Sequence, residues 1–330
     1  MSDDSKLGVG VIGLGEIGQF HLRGFASSSE CEIRAVSDID AALAEETASR
    51  FGASSYTSYQ DLLSDPAIAI VSIGLPHRLH CEVLLAAIAA GKQVLCEKPL
   101  CMTVGECDEV IDAAARANVT VGVQHNQLFY PPHVRAKELV DSGSIGRPVL
   151  MRLRLAIGGK FRGWRTDPAV TGGGILFDAG VHRFYVARYL LGEVDEVMAM
   201  ADNTRLGGED VAVVGLRFRS GALGVIEANY HAPPGSFDDN VEICGTEGTL
   251  YVSGCEAEFE GFRTGPRLTR FDGSWHYEKT AQGDWADSVA ASIRAFVTAV
   301  ARGEEAPVTA KDGRQVVQLI ESVYDAISAP

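Results

Sequence analysis

The sequence predicts an α/β domain with a doubly wound parallel sheet, followed by an α+β domain on a mostly antiparallel open sheet. Three observations predict it. Between residues 7 and 126, short β-branched runs take turns with longer amphipathic stretches, the pattern of a parallel sheet covered on both faces. Beyond residue 127 that alternation gives way to successive short alternating strands separated by turns. A chain of 330 residues with 46% apolar content is also too long for one ordinary core and fits two. The expected division is residues 1–126 and 127–330.

In the first domain, strands are expected at residues 8–13, 32–37, 69–74, 93–96 and 120–123, and helices at 16–26, 41–51, 79–90 and 104–117. Gly52, Gly91 and Asn118 stand where those helices should stop, because glycine and asparagine tolerate the left-handed cap conformation. In the second domain, a helix at 133–140 and a strand at 148–157 precede a glycine-led helix from about 174 to 191. Strands are then expected at 194–201, 211–219, 222–231, 240–245 and 248–253, with short strands and turns to about Tyr277. Two helices, 285–301 and 313–327, close the chain.

The formal charge of −15 opposes nucleic acid and anionic lipid as partners, since no block of Lys and Arg offsets it. Met1 to Lys6 is short and polar, and the apolar run after it is broken by glycines. Neither a signal peptide nor a membrane span is therefore expected, and the expected compartment is cytoplasmic. Seven cysteines, with no Cys-x-x-Cys pair, suit a reducing compartment. Cys31, Cys81, Cys96, Cys101, Cys107, Cys244 and Cys255 read as small core fillers, and no metal site is expected.

Gly13-Leu14-Gly15-Glu16-Ile17-Gly18 lies between an apolar strand and a helix. Glycines there let the chain turn tightly, come close to a pyrophosphate and present helix N–H groups to it. Asp38 follows Gly18 by 20 residues at the end of the second strand, where a carboxylate accepts from a ribose hydroxyl. That carboxylate repels a 2′-phosphate, and neither Ile39 nor Asp40 is a cation, so NAD is favoured over NADP. A methyltransferase uses a similar glycine turn and acid and is the main confounder.

Glu97-Lys98-Pro99 ends a buried strand at the carboxyl edge, where open α/β sheets bind ligands. Lys98 there can orient a substrate hydroxyl and steady developing negative charge; read without a ligand, Glu97 and Lys98 are two solvated charges. Gly172-Gly173-Gly174 runs on to Asp178 and His182 and suggests a flexible glycine entry into a helix. Four apart on one helix, Asp178 and His182 share a face, and the aspartate can fix the imidazole tautomer. The alternative is a capping aspartate and a satisfied buried histidine.

These residues, with the Gly91 to Pro99 segment, the Trp164-Arg165 pair and Glu242 to Leu250, resemble the glucose–fructose oxidoreductase, inositol dehydrogenase and rhizopine-catabolism (Gfo/Idh/MocA) family. The likeness covers nearly the whole chain. It implies an N-terminal Rossmann domain and a substrate domain whose open sheet often forms a dimer or tetramer interface, so a homodimer or homotetramer is expected. It also implies Lys98, Asp178 and His182 as the catalytic trio. Gly13, Gly15, Glu16, Ile17, Gly18, Asp38, Leu75, Pro76, His80, Glu97, Lys98, Gln124, Trp164 and Arg165 are implied at the cofactor, with a strained or cis peptide around Lys98-Pro99. His125, Asn126, Trp164, Tyr230 and His231, with Asp238, are candidates to read substrate hydroxyls. Two departures stand out: Tyr185 occupies a position where relatives often carry aspartate, and residues 124–131 lack the Arg-Phe-x-Pro pattern of many members.

The function expected is an NAD-dependent dehydrogenase acting on a secondary alcohol of a sugar, cyclitol or glycoside. His182 would take the hydroxyl proton and Lys98 steady the oxygen, with these roles open to exchange. Two alternatives remain on the same fold: glycoside cleavage with NAD held throughout and oxidised transiently, and a non-catalytic NAD-binding regulator.

Overall fold

The structure is a computed structural model that describes residues 6–159, 162–254, 260–261, 267–279 and 281–328. Cys255 lies outside the described residues, as do the first five. Two compact units divide the chain: one holds it through Asn126 together with Val289–Val317, the other Gln127–Ser288 and the chain from Gln318 onward.

In the first unit β1 (Leu7–Ile12), α1 (Glu16–Ala26), β2 (Cys31–Ser37), α2 (Ala41–Phe51), β3 (Ser54–Tyr56), α3 (Tyr59–Leu63), β4 (Ile70–Ile73), α4 (His80–Ala89), β5 (Gln93–Glu97), α5 (Val104–Ala117) and β6 (Val121–Gln124) follow one another. The strands form one parallel sheet in the order β3-β2-β1-β4-β5-β6. This is the Rossmann arrangement, and its order reverses between β1 and β4, which puts the crevice beside the glycine turn after β1. The strands that read as apolar runs are buried throughout: Val9, Val11, Ile70, Val71, Ile73, Val94 and Leu95 are at most 1% exposed. β3 and α3 were not expected, because a three-residue strand with two exposed serines and a single helical turn carry no readable period. Gly52 and Asn118 take the left-handed conformation at the ends of α2 and α5, with φ of 64° and 54°. Thr103 and Glu106 close a reciprocal capping box at the start of α5, worth about 1 kcal/mol.

The second unit begins with α6 (Pro131–Asp141), β7 (Pro148–Ile157), α7 (Pro168–Thr171), α8 (Ile175–Asp178) and α9 (Val181–Leu191). β8 (Val194–Asp202), β9 (Val211–Phe218), β10 (Leu223–Asn229), β11 (Ser236–Gly245), β12 (Thr249–Val252), β13 (Glu260–Gly261), β14 (Leu268–Phe271) and β15 (Trp275–Tyr277) complete its sheet. The order is β15-β14-β12-β11-β7-β10-β9-β8, with β13 on β11. Pairing is antiparallel except for β7 with β10 and β11 with β13. α9 packs against β7, and its Phe184 and Val186 are both fully buried. Arg183, also fully buried, pairs with Asp239 on β11 and donates to Gln127. Breaking such a pair strands a charge in the interior, so it fixes α9 on the sheet.

α10 (Trp285–Arg302) and α11 (Ala310–Ser328) end the chain. The sequence reading assigned all of 127–330 to the second domain, whereas residues 289–317 pack with the first. Ile293 and Phe296 of α10 fill the space left by the missing side chains of Gly24 and Gly122. Val123 N–H donates to Val308 O, and Arg314 pairs with Asp108. Among the described residues, no helix is long and apolar enough to cross a membrane.

Candidate active site

On the first unit the β1–α1 turn is shaped by backbone proximity. Gly13 has φ of 87°, and a Cβ on it would stand 2.4 Å from Gly74 O; one on Gly18 would stand 2.0 Å from Gly13 O. Gly15 instead has nothing within 4 Å of where a Cβ would sit. It precedes α1 with no side-chain cap, so the first turn of the helix opens onto a space suited to a dinucleotide's phosphates. Glu16 is exposed and Ile17 half-buried on that turn. Asp38 is tied into the same turn: Leu14 N–H donates to its Oδ2 at 2.8 Å and Asp40 N–H to its Oδ1 at 3.0 Å.

Leu75 and Pro76 follow β4 half-buried, and the Lys98–Pro99 peptide is cis. His80 joins these segments, with Nδ1 2.7 Å from Pro99 O and Nε2 2.8 Å from Leu75 O. Burial depresses its pKa, against the opposing pull of the two carbonyls. Glu97 lies 2.9 Å through Oε1 from His21 Nε2 and accepts from Lys98 N–H through Oε2. His21 Nδ1 in turn meets Ser72 Oγ at 2.7 Å. Lys98 therefore emerges, half-buried, from a backbone held by a buried Ser72–His21–Glu97 chain.

On the second unit the expected single helix through Asp178 and His182 is two helices. Asp178 ends α8, His182 is the second residue of α9, and Gly180 N–H folds back to Ile175 O at 2.6 Å between them. A Cβ on Gly180 would stand 2.8 Å from Leu176 Cα, and this close approach breaks the helix. The pair is thus set by the bend and not by helical spacing. Asp178 is 7% exposed and accepts from Tyr230 Oη at 2.8 Å, with Arg165 Nε at 3.6 Å. Burial, and next the Asp178 charge, push the Tyr230 phenol well above its usual range. The Arg165 guanidinium also lies over the Trp164 ring, 5.0 Å from its centre. His182 is half-buried.

Residues 172–174 are not a flexible entry. Glu209 accepts from Gly174 N–H and Leu176 N–H through its two carboxylate oxygens, at 2.9 and 3.0 Å, and from Tyr324 Oη at 2.8 Å. A Cβ on Gly174 would fall 1.9 Å from Glu209 O, and one on Gly173 1.9 Å from Tyr324 Oη. The glycines admit this clamp, whose carboxylate sits at the start of the helix that ends in Asp178.

Two family models match the chain: the oxidoreductase family with NAD-binding Rossmann fold over residues 7–125, and the GFO/IDH/MocA C-terminal domain over residues 133–251. The chain belongs to the Gfo/Idh/MocA oxidoreductase family. It is 30% identical to the myo-inositol 2-dehydrogenase of Thermotoga maritima, over 94% of this chain and 93% of that protein. It is also 30% identical to the scyllo-inositol 2-dehydrogenase (NAD(+)) of Bacillus subtilis, over 73% and 72%. Among solved structures it resembles levoglucosan dehydrogenase in complex with NADH and levoglucosan, with a TM-score of 0.87 at 26% identity, covering 98% of this chain and 97% of that one.

Several residues expected to contact ligands in this Gfo/Idh/MocA chain have partners within the protein. His80 is fully buried and Glu97 7% exposed; their side chains meet the carbonyls of Pro99 and Leu75 and the imidazole of His21. Gln124, 1% exposed, accepts from Ser292 Oγ at 2.8 Å and donates to Val289 O at 3.4 Å, which commits its amide to α10. His125 and Asn126, just after β6, are buried. His231 Nε2 meets Asp210 Oδ1 at 2.9 Å and Thr204 Oγ1 at 3.0 Å, so it anchors the 203–210 loop. Burial alone would raise the Asp210 pKa, but His231 and three loop N–H groups outweigh it and bring it to about 2. Asp238 accepts from Arg154 Nε at 2.6 Å and from Asn240.

The sequence reading missed His21, Glu209 and Tyr324. His21 follows Gly18 by three residues, one helical turn, and was a findable signal; Glu209 and Tyr324 are joined only by folding.

Proposed function

We propose that this chain is a dehydrogenase that oxidises a secondary alcohol of a sugar, cyclitol or glycoside with NAD. The observation that carries the reading is Asp178: a buried carboxylate, held by Tyr230 and Arg165, just ahead of His182 at the start of α9. The backbone of Gly13, Gly15 and Gly18 would hold the phosphates of NAD and Asp38 its ribose, and the bound cofactor would supply the hydride acceptor. His182 takes the hydroxyl proton, Asp178 keeps the imidazole oriented, and Lys98 steadies the oxygen as charge develops. NAD is preferred to NADP because the Asp38 carboxylate opposes a 2′-phosphate. Inositol and levoglucosan dehydrogenases among the similar proteins support a polyhydroxylated ring as substrate.

The same reading makes the protein a homo-oligomer joined through the outer face of its second sheet. Met198 and Met200 are 76% and 74% exposed there. Val213 pairs with Met200 across β8 and β9, and the Arg154–Glu227 ion pair lies further along that row. Apolar and oppositely charged groups side by side suit a face that meets its own copy.

The deciding experiment is a spectrophotometric screen of inositols, aldoses and glycosides against NAD and NADP at the reduced-nicotinamide absorbance. Steady NADH formation with one class of cyclic polyol supports the reading. Glycoside consumption without NADH release moves it to transient oxidation, and tight NAD binding with no turnover on any polyol overturns it in favour of a regulator.

A further inference from the structure

Three segments of the first unit meet in one buried chain of hydrogen bonds that ends on the backbone of Lys98. His21 on α1, Ser72 on β4 and Glu97 at the end of β5 are 0%, 0% and 7% exposed. His21 Nδ1 lies 2.7 Å from Ser72 Oγ and its Nε2 2.9 Å from Glu97 Oε1, while Glu97 Oε2 accepts from Lys98 N–H at 3.2 Å. One assignment of protons satisfies every member. With the imidazole neutral and its proton on Nε2, the ring donates to Glu97, and Ser72 Oγ–H donates to Nδ1. A proton on Nδ1 would turn Ser72 into the acceptor, and its hydroxyl hydrogen would then find no partner among the described residues. The serine thus selects the tautomer, and the tautomer aims an N–H at the carboxylate.

We propose that His21 is a positioning residue: in its Nε2–H form it fixes the Glu97 carboxylate, and through it the Lys98 backbone, so that the Lys98 side chain leaves the end of β5 in one direction. The role rests on the reading of Lys98 as the group that steadies the substrate oxygen.

The sheet by itself does not call for this chain. β5 is already laddered to β4 and to β6, up to the pairing of Glu97 with Gln124, and a carboxylate taken out of water is costly unless donors meet its oxygens. An apolar side chain at position 97 would close the strand without that cost. What the carboxylate adds is direction. One oxygen is held from α1 and the other holds the next peptide N–H, so the peptide that carries Lys98 is referred to a helix outside its own strand. That helix is the one whose first turn follows the glycine turn, with His21 three residues past Gly18.

Two readouts test the role, one without turnover and one with it. Nitrogen NMR of the protein carrying 15N-labelled histidine is recorded at about pH 8, where an ordinary histidine is neutral. The His21 ring, identified as the signal that moves in Ser72→Ala, is expected to be protonated on Nε2. In Glu97→Gln the proton should move to Nδ1, because the amide then donates to Nε2 and keeps its oxygen for Lys98 N–H. A ring protonated on Nδ1 in the parent overturns the proposal. Reductive 13C-methylation gives the Lys98 amine a signal, identified by its loss in Lys98→Met, that should shift in His21→Leu; an unmoved signal also overturns it.

Kinetically, His21→Leu should lower kcat about ten- to a hundred-fold and leave the KM for NAD within about two-fold. In the Lys98→Met background the same substitution should cost nothing further, because a residue that acts through Lys98 has nothing left to place. Equal losses in both backgrounds mark a merely structural residue and overturn the proposal. Ser72→Ala, which leaves the ring's bond to Glu97 in place, should show a smaller loss that likewise vanishes with Lys98→Met, and it carries the cycle if His21→Leu does not fold. A protein inactive on every polyol removes the dehydrogenase reading, and the tautomer and the Lys98 methyl signal still decide what His21 holds.

Discussion

Tyr230 Oη donates a 2.8 Å hydrogen bond to Asp178 Oδ2, joining the residue that follows β10 to the last residue of α8. Because the phenol is pushed well above its usual range, it remains a donor at any working pH and the carboxylate remains the acceptor. Removing a hydrogen bond to a buried charged group costs about 1.5–3 kcal/mol. Tyr230→Phe should therefore lower kcat/KM by about ten- to a hundred-fold. NAD affinity, measured by fluorescence titration, should stay unchanged; a large loss of NAD binding would place Tyr230 in another role.

Replacing His182 by Asn should lower kcat about 10²–10⁴-fold and remove the ionisation that limits turnover at low pH. Lys98→Met should lower kcat while leaving that ionisation in place. If the pH profile survives the first substitution and vanishes with the second, the two residues exchange roles.

Asp38 both locks the glycine turn, through Leu14 N–H, and faces the proposed ribose site. Asp38→Ala should raise the KM for NAD by about ten-fold or more, on the scale of one charged hydrogen bond, and narrow the preference for NAD over NADP. Parallel initial rates with both cofactors measure it, and an unchanged ratio removes Asp38 from cofactor choice.

His133 is 1% exposed, with Nδ1 2.9 Å from Gln127 O. Burial first, and the nearby Arg183 charge second, lower its pKa to about 3. An unfolded histidine titrates near ~6.5, so below that pH the unfolded chain takes up a proton that the folded one refuses. The contribution of His133 to stability is therefore complete above about pH 6.5 and is lost, by about 1.4 kcal/mol per unit, as pH falls toward 3. Urea unfolding of the parent and His133→Gln between neutral and mildly acidic pH should show the shallower slope in the variant.

Met200→Glu, on the exposed face of β8, places a charge on the surface assigned to self-association. Size-exclusion chromatography with light scattering should show a smaller species with unaltered secondary structure. A parent protein that is already monomeric removes that surface from the reading.

Local chemistry made the Rossmann half easy to read. Its strands are continuous apolar runs, its helices carry caps such as Thr103 and Asn118, and the Gly13 to Gly18 turn is contiguous in the chain. The lysine and the aspartate–histidine pair were also visible as residues. What surrounds them was not, because each partner comes from a distant segment: Tyr230 lies 52 residues from Asp178, Glu97 lies 76 from His21, and Tyr324 lies 115 from Glu209. Helical spacing alone put Asp178 and His182 on one helix, and a backbone contact at Gly180 with the turn before it broke that helix in two. Residue type and short-range period set which elements form and where the glycine turn lies. Long-range packing chose which polar groups meet, since a buried donor or acceptor must find its partner wherever the chain brings one.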